Sequence, residues 1–350
     1  MKLFKKIKKY FDNLKIQKEI SKAKFIHIMF NDKFNKPFVD FLNKNFDNNE
    51  HIILCKRWFV EFPFPIGKNV FEIKTLKNLD FAKNEKIICH SLFDQELVDY
   101  LYSNQSLLKA KAYWAIWGGD LYNAPRDEKN DYVRSNFKGY WSVADEEAVI
   151  EKYNTNNNFK RISYIFPISK NIIDNVKKEK KDFIRIQINN SCDNSTLEML
   201  DILSKFKNEN IKITTILSYG KMQFKDEIIK KGKEIFADKF EYINELLSAE
   251  DYTHYLAQND ILILNQNRQQ GVGNTLASLY IGNKVYINSK VLTYNFFNNQ
   301  NIKVFASDSI ENLSYKQFIE NQDRDITSKN VYKYFDEKHL AKLWESAIYE

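Results

Sequence analysis

Glycine, proline and cysteine are scarce in this 350-residue chain, which contains 9, 5 and 3 of them respectively. So few glycines and prolines exclude collagen-like and low-complexity chains. The three cysteines, Cys55, Cys89 and Cys192, are odd in number, far apart and without a CxxC pair. They indicate neither a disulfide framework nor a zinc site, and they fit a reducing cytoplasm.

Long apolar runs are absent as well. No run approaches the roughly 18 residues of a spanning helix, and the N-terminus lacks the uninterrupted apolar segment of a secretion signal. The sequence therefore predicts neither a membrane-spanning protein nor one exported by the usual secretory route. Hydrophobic residues make up 43% of the chain and aromatic residues 15%. This composition predicts a globular protein, and the length predicts two domains.

Positive charge is concentrated at one end. The net charge is +7, and residues 1–24 account for all of it with nine lysines against two acids. On a helical wheel the lysines lie opposite an apolar stripe of Leu3, Phe4, Ile7, Tyr10, Phe11 and Leu14. A basic amphipathic helix over residues 1–23 suits an anionic membrane surface, and the alternative is a first helix packed on its own domain or a frayed end. No basic stripe follows residue 24, so we expect no nucleic-acid partner.

Apolar runs and amphipathic stretches alternate along the rest of the chain. The predicted strands are 24–30, 51–55, 86–90, 112–117 and 161–166, then 183–188, 211–217, 239–243, 260–264 and 284–288. Helices are predicted over 37–46, 94–102 and 143–153, then 195–206, 226–236, 250–257 and 274–281. This pattern predicts an α/β fold with two doubly wound parallel sheets facing a cleft. We expect domains at 24–166 and 183–327, a linker at 167–182 and a C-terminal helix at 328–350.

The stretch NQNRQQGVGN (265–274) joins a predicted strand to a predicted helix. Gly271 and Gly273 let the backbone approach a ligand, the helix beginning near Asn274 offers free amides, and Arg268 is a bidentate donor, with Gln270 beside it. No Asp or Glu occurs in residues 261–307. These features predict a diphosphate site, and the alternative is a glycine turn with a chance depletion of acids.

Polar residues also end two strands of the first domain. His90 ends one strand, and Asp120 follows Gly118 and Gly119 after another. We expect Asp120, and second His90, to act as a general base or to hold a sugar hydroxyl. The alternative for either residue is a structural role, as a buried histidine or as a turn-capping aspartate.

Two loops of the second domain carry further polar candidates. Asn190, Ser191 and Asp193 follow its first strand, and they either cap the next helix or reach a bound phosphate or sugar. Tyr219 and Lys221 follow the next strand, where we expect them to contact a base or phosphate. The chain has no GxxxxGK[ST], GxGxxG or GxSxG motif in the required context. This argues against P-loop kinases, dinucleotide oxidoreductases and α/β-hydrolases, and we expect no metal or cofactor.

Six stretches together resemble one family of bacterial transferases, glycosyltransferase family 56. The family moves 4-acetamido-4,6-dideoxygalactose (N-acetylfucosamine) to lipid-linked oligosaccharide in enterobacterial common antigen synthesis. The similar stretches lie between residues 24 and 305 and read HIMFNDKFNKPFVDFLNKNF (27–46), HSLF (90–93), WAIWGGDLY (114–122), INNSCDNST (188–196), LSYGK (217–221) and NRQQGVGNTLASLYIGNKVYIN (267–288). The chain departs from the family pattern at Ser91, Gly119 and Cys192, which leaves the exact donor sugar open.

The resemblance implies a GT-B fold of two Rossmann-like domains and no required metal. The first domain would bind the acceptor, a saccharide on a polyprenyl diphosphate, with His27, Trp117 and Gly119. The second would bind a dTDP- or UDP-activated deoxyamino sugar. The enzyme would then be a peripheral protein on the cytoplasmic face of the bacterial inner membrane. The alternative is a non-catalytic nucleotide- or glycan-binding protein of the same fold.

Overall fold

Two compact units make up the computed structural model, which describes residues 14–155, 157–178, 181–189, 191–320 and 324–350. Unit 1 comprises Met1–Pro167 together with Lys338–Glu350, and unit 2 comprises Ile168–Glu337. No helix in the described ranges is long and apolar enough to cross a membrane.

Unit 1 is built on a seven-stranded sheet in which every strand pair is parallel. Its order is β3-β2-β1-β4-β5-β6-β7, formed by β1 (Phe25–Phe30), β2 (His51–Lys56), β3 (Val70–Glu72), β4 (Lys86–His90), β5 (Ala112–Ala115), β6 (Gly139–Ser142) and β7 (Asn158–Arg161). Every residue of β1 and β2 is buried. Continuous burial is typical of parallel strands covered by helices on both faces.

The helices of unit 1 connect these strands and cover the sheet. They are α1 (14–20), α2 (Asn35–Asn45), α3 (Gln95–Ser103), α4 (Gln105–Lys111), α5 (Gly119–Tyr122), α6 (Glu128–Ser135) and α7 (Glu146–Tyr153), with α16 (Glu337–Tyr349) returning from the far end of the chain. In α16 the Trp344 side chain is buried in the core of unit 1, and its indole N–H donates to the Ser163 carbonyl over 3.1 Å. The last helix is therefore part of the first unit.

Unit 2 holds a six-stranded parallel sheet of order β10-β9-β8-β11-β12-β13. Its strands are β8 (Ile184–Ile188), β9 (Ile211–Ile216), β10 (Phe240–Ile243), β11 (Ile261–Leu264), β12 (Lys284–Ile287) and β13 (Phe305–Ala306). The helices are α8 (Lys170–Asp174), α9 (Ser195–Leu203), α10 (Lys225–Phe236), α11 (Ala249–Gln258), α12 (Val272–Ile281), α13 (Leu292–Asn299), α14 (Tyr315–Ile319) and α15 (Arg324–Val331). The strand order reverses at β8, between β9 and β11, where sheets of this kind bind ligands.

Three expected boundaries differ from the structure. The segment expected to be a linker contains α8, which is tied to unit 2 because the Tyr280 hydroxyl donates to Asp174 over 2.6 Å. The single helix expected over 328–350 is two helices, α15 and α16, divided between the units. A strand was expected at 161–166, but the strand in this region, β7, spans Asn158–Arg161 and ends where the expected one begins.

The helix expected at residues 1–23 is described only from Leu14 onward, so most of its apolar stripe lies outside the described residues. Ile16 and Ile20 are buried against unit 1, whereas Leu14 is 48% exposed. The Asn84 amide donates to the Ile20 and Ala23 carbonyls over 2.8 and 2.7 Å, which anchors the end of α1. The part of the stripe that the structure describes thus faces away from the core.

Candidate functional site

The loop between β11 and α12 ends in a left-handed glycine. Gly271 has φ 70° and ψ 30° and is the N-cap residue of α12, where no side chain caps the first amides. The helix therefore begins at Val272, two residues before the expected Asn274. Gly273 and Asn274 lie in its first turn and are partly exposed. The free backbone amides and the helix dipole at the amino end of α12 favour the binding of an anion.

A small cavity of about 10 Å³ lies beside this turn. Its lining includes Arg268 and Gln270, both expected from the sequence, and also Gln266, which the motif analysis did not select. Gln266 is 4% exposed, and its amide nitrogen has no hydrogen-bond partner within the described residues. A buried donor without a partner is costly, so a ligand oxygen in the cavity would satisfy it.

The loop after β8 meets this turn through specific hydrogen bonds. The Gln270 amide donates to the Ser191 hydroxyl over 2.7 Å, which brings together two residues predicted from different motifs. Asn189, which sequence reasoning missed, has a left-handed backbone (φ 52°) and accepts from the Asn265 amide N–H over 2.9 Å. Asn189 therefore links the ends of β8 and β11. Asn190 lies outside the described residues.

The loop after β9 completes this edge of unit 2. Cys192 and Gly220 form an isolated parallel bridge, and the Lys221 N–H donates to the Cys192 carbonyl over 2.8 Å. Lys221 Nζ lies 3.7 Å from Asp193 Oδ2. Asp193 also accepts from the Ser195 N–H over 3.0 Å, so its side chain contacts the start of α9, although Asn194 is the N-cap residue and no side chain caps this helix.

Tyr219 connects this loop to Arg268. Burial raises the pKa of the Tyr219 phenol to about 12, and the nearby Arg268 guanidinium partly opposes that rise. The ring is still 36% exposed. Three separate loops thus place Arg268, Tyr219 and the Ser191–Gln270 pair around the amino end of α12, as expected of a diphosphate site.

Asp120, at the carboxyl edge of the sheet in unit 1, is 1% exposed. Its Oδ2 accepts from Trp114 Nε1 over 2.6 Å and from the Leu92 N–H over 3.0 Å, and its Oδ1 accepts from the Trp117 N–H over 2.9 Å. Burial raises the pKa of Asp120, while these bonds and Arg134 lower it. Because all three bonded partners are N–H donors, the geometry favours the structural role that the sequence left open for Asp120.

His90 and His27 are also enclosed. His27 Nδ1 lies 2.9 Å from His90 Nε2, His27 Nε2 lies 3.0 Å from His51 Nδ1, and His90 Nδ1 lies 2.8 Å from the Tyr164 hydroxyl. Strand register explains the row: His27 pairs with Ile53 and Ile88, so His51 and His90 lie two residues away on the same face. His27 was expected to bind the acceptor saccharide. Its ring is fully buried, so it is not accessible to a saccharide in this structure.

Trp117 and Gly119 lie nearer the surface. The Trp117 ring is half-buried and lies 5.5 Å from that of Phe34 and 5.7 Å from that of Tyr164, centroid to centroid. At Gly119 a Cβ would lie 2.8 Å from the Phe93 ring, so the ring covers the glycine closely. The result is an aromatic wall at the strand ends of unit 1. No group of three or more His, Cys, Asp or Glu in the described ranges is arranged to hold a metal.

Solved structures define the class to which this fold belongs. A glycosyltransferase from Rickettsia africae ESF-5 superposes with a TM-score of 0.66 at 11% identity, covering 93% of this chain and 98% of that one. Sucrose-phosphate synthase from Thermosynechococcus elongatus gives 0.66 at 9% identity with the same coverage. The pneumococcal O-GlcNAc transferase in complex with UDP and GlcNAc gives 0.51 at 12% identity, covering 75% of this chain and 56% of that one. The predicted GT-B fold is confirmed.

The family follows from a match over residues 67–350 to the one described as 4-alpha-L-fucosyltransferase, glycosyl transferase group 56. The chain belongs to this family and is a glycosyltransferase, as the resemblance predicted. The match includes five of the six similar stretches, and the first, at 27–46, precedes it. None of the curated proteins compared with the chain matches it.

Proposed function

We propose that the enzyme transfers an N-acetylfucosamine-like deoxyamino sugar from a dTDP- or UDP-sugar to a polyprenyl-diphosphate-linked oligosaccharide in surface polysaccharide synthesis. The observation that carries the proposal is the convergence of Arg268, Tyr219 and Gln270 at the uncapped amino end of α12. The family description names fucosyl transfer, and the pneumococcal relative of the same fold binds UDP and GlcNAc.

In this proposal the bond from the sugar C1 to the diphosphate breaks, and a bond from C1 to an acceptor oxygen forms. Negative charge grows on the departing diphosphate. Arg268 and the first amides of α12 offset that charge, and the unpartnered Gln266 amide adds a donor. Preorganised donors of this kind usually supply the largest part of catalysis. Asp120 would hold the Trp117 turn that faces the acceptor.

The donor site is tested by calorimetry with dTDP and UDP. Arg268→Ala should weaken the affinity of the better ligand at least tenfold, because a bidentate charged contact is lost. Lys290→Ala is the matched control, since it removes an exposed cation from the same acid-free stretch outside the cavity lining. Equal affinity of Arg268→Ala and the wild type for the nucleotide would contradict the assignment of a diphosphate site here.

Transfer itself is tested by following sugar incorporation into a lipid-linked acceptor with a panel of nucleotide sugars. Thermal stabilisation of the purified protein selects the donors to try. Acceptor-dependent release of nucleoside diphosphate from one deoxyamino sugar is the expected result. Binding of nucleotide sugars without any transfer would leave the protein a binding module and contradict the proposal.

A lipid-linked acceptor implies a peripheral position on the cytoplasmic face of the inner membrane. The basic residues 1–24 support this, as does an exposed apolar loop after β2, in which Val60 is 94% and Ile66 86% exposed. The Asn31 side chain binds the loop backbone, accepting from the Trp58 N–H over 2.6 Å. Large exposed apolar side chains on a fixed loop are typical of interaction surfaces.

Sedimentation with phosphatidylglycerol vesicles tests that position. Deleting residues 1–13 should release the protein, and added salt should weaken binding of the full chain because the lysines are screened. Vesicles of phosphatidylcholine alone are the control for charge. Equal sedimentation of the deleted and the full chain would contradict a role for the N-terminus.

A further inference from the structure

The row of imidazoles inside unit 1 ends at a single hydroxyl. Three contacts of 2.8–3.0 Å join His51, His27, His90 and Tyr164 in that order. All three rings are buried, while Tyr164 is only partly buried. The row therefore runs from the amino end of β2 to the aromatic wall at the carboxyl edge of the sheet.

All three imidazoles are neutral at physiological pH. Burial lowers the pKa of His51 to about 4 and that of His90 to about 3, and it lowers the pKa of His27 well below its usual range, with a further decrease from its two neighbours. The carboxylates that face this row, Glu50 and Asp47, oppose the shift at His51 only in part. A neutral imidazole has one N–H and one lone pair. The protons of the row can therefore be placed in two consistent ways, with every ring protonated on Nδ1 or every ring protonated on Nε2.

The inner end of the row distinguishes the two arrangements. His51 Nε2 is buried without a hydrogen-bond partner in the described ranges, among the rings of Phe25, Phe46 and Tyr349. A proton on that nitrogen would be an orphaned N–H, which proteins avoid more strictly than an unused acceptor. The favoured arrangement therefore has the proton of every ring on Nδ1, so that each ring donates outward along the row.

The outer end of the row is the Tyr164 hydroxyl. In this arrangement His90 Nδ1–H donates to the phenol oxygen, so the phenol proton is not used within the row. Burial raises the pKa of Tyr164 well above its usual range and keeps this proton in place. The Trp117 indole N–H has no partner at hydrogen-bond distance within the described residues, yet its side chain lowers the pKa of the same phenol.

We propose that Tyr164 contacts the substrate, donating its hydroxyl proton to an oxygen of the acceptor glycan, and that His51, His27 and His90 are positioning residues that fix the direction of this hydrogen bond. The inference rests on the proposed function, because it takes the acceptor to lie on unit 1. The half-buried rings of Phe34 and Trp117 beside Tyr164 form an apolar surface for a sugar face.

Nuclear magnetic resonance on the full chain labelled with ¹⁵N-histidine tests which nitrogen of each ring carries the proton, and thus the direction of the hydrogen bonds in the row. The chain has only five histidines, so each signal can be assigned with one substitution. We expect His27, His51 and His90 to be neutral and protonated on Nδ1 at pH 7. Protonation on Nε2 in all three would reverse the row, make Tyr164 the donor to His90 and overturn the proposal.

Steady-state kinetics test the contact. Tyr164→Phe should lower kcat/KM for the lipid-linked acceptor about tenfold and leave KM for the nucleotide sugar unchanged. Tyr100→Phe is the matched control, because its hydroxyl donates over 2.9 Å to the Leu79 carbonyl, away from the strand-end wall. His90→Asn should retain more activity than His90→Leu, since the amide N–H replaces Nδ1–H.

Failure of the inference is distinguishable from failure of the proposed function. If the wild type transfers sugar and Tyr164→Phe matches it in kcat/KM for the acceptor, the contact is absent while the function stands. If the wild type transfers no sugar from any donor, the function fails, and the contact inferred for Tyr164 fails with it. The tautomers of the row are read from the protein without substrate in either case.

Discussion

Replacing Asp120 with asparagine should destabilise unit 1 rather than act on chemistry alone. An asparagine keeps one oxygen acceptor and turns an NH2 group toward the other side. If the asparagine oxygen accepts from Trp114 Nε1 and the Leu92 N–H, the asparagine NH2 group faces the Trp117 N–H. In the wild type that N–H donates to Asp120 Oδ1 over 2.9 Å. One charge-assisted bond is lost, and two donors oppose each other.

The magnitude follows from these three bonds. A hydrogen bond to a charged group contributes about 1.5–3 kcal/mol, and a buried N–H left unpaired costs about 1–3 kcal/mol. The desolvation that raises the pKa of Asp120 offsets part of this loss when the charge is removed. We therefore expect Asp120→Asn to cost about 3 kcal/mol. Asp120→Ala, which leaves all three N–H groups unpaired, should cost about 5 kcal/mol, a large share of ordinary domain stability.

Urea unfolding followed by tryptophan fluorescence measures this loss directly. All five tryptophans belong to unit 1, so their emission reports that unit alone. Asp40→Asn is the control, because its exposed pair with Lys36 on α2 should contribute less than about 0.5 kcal/mol. An unchanged urea midpoint in Asp120→Asn, together with lost sugar transfer, would refute the structural role and restore Asp120 as a base.

Three further predictions concern other parts of the chain. Folding lowers the pKa of His51 from about 6.5 to about 4, so the unfolded chain binds a proton at His51 more readily than the folded one. The neutral His51 ring therefore contributes fully to the free energy of unfolding above pH 6.5, and this contribution is lost as the pH falls toward 4. The urea midpoint read by tryptophan emission should drop between pH 7 and pH 5, less so in His51→Phe, and equal slopes would contradict this. Gly220→Ala should cost more than about 2 kcal/mol in unit 2, because φ is +103° and a Cβ would lie 2.5 Å from the Cys192 carbonyl oxygen; a melting temperature like that of the wild type would argue otherwise. Truncation after residue 337 should unfold unit 1, and a retained tryptophan transition would show that the last helix is dispensable.

The alternation of strands and helices could be predicted because the parallel strands are buried throughout. FIHIMF in β1 and HIILCK in β2 are short apolar runs that the sequence shows without ambiguity. The short elements could not be predicted in this way. β6 reads GYWS and β13 has two residues, so neither has a period to detect. Helix α12 begins early because Gly271, rather than a polar side chain, takes the cap position.

Side-chain roles in unit 1 depended on strand register, which local pattern does not reveal. His27 is a strand residue in the sequence, and only its pairing with Ile53 and Ile88 brings His51 and His90 to either side of it. Tyr164 lies after β7, outside any motif, and no spacing in the sequence connects it to His90. In unit 2, by contrast, the predicted motifs were themselves the loops that meet, so Ser191 and Gln270 could be named in advance.

The return of α16 to unit 1 has a consequence for how the protein is made. Unit 2 is an insertion within unit 1, so a ribosome synthesises all of unit 2 before it synthesises residues 338–350, which unit 1 needs. Until then the cavity that receives Trp344 stays open, and apolar side chains around it are accessible to chaperones and proteases. A premature stop codon just before residue 338 would therefore damage unit 1, although most of that unit is encoded before unit 2.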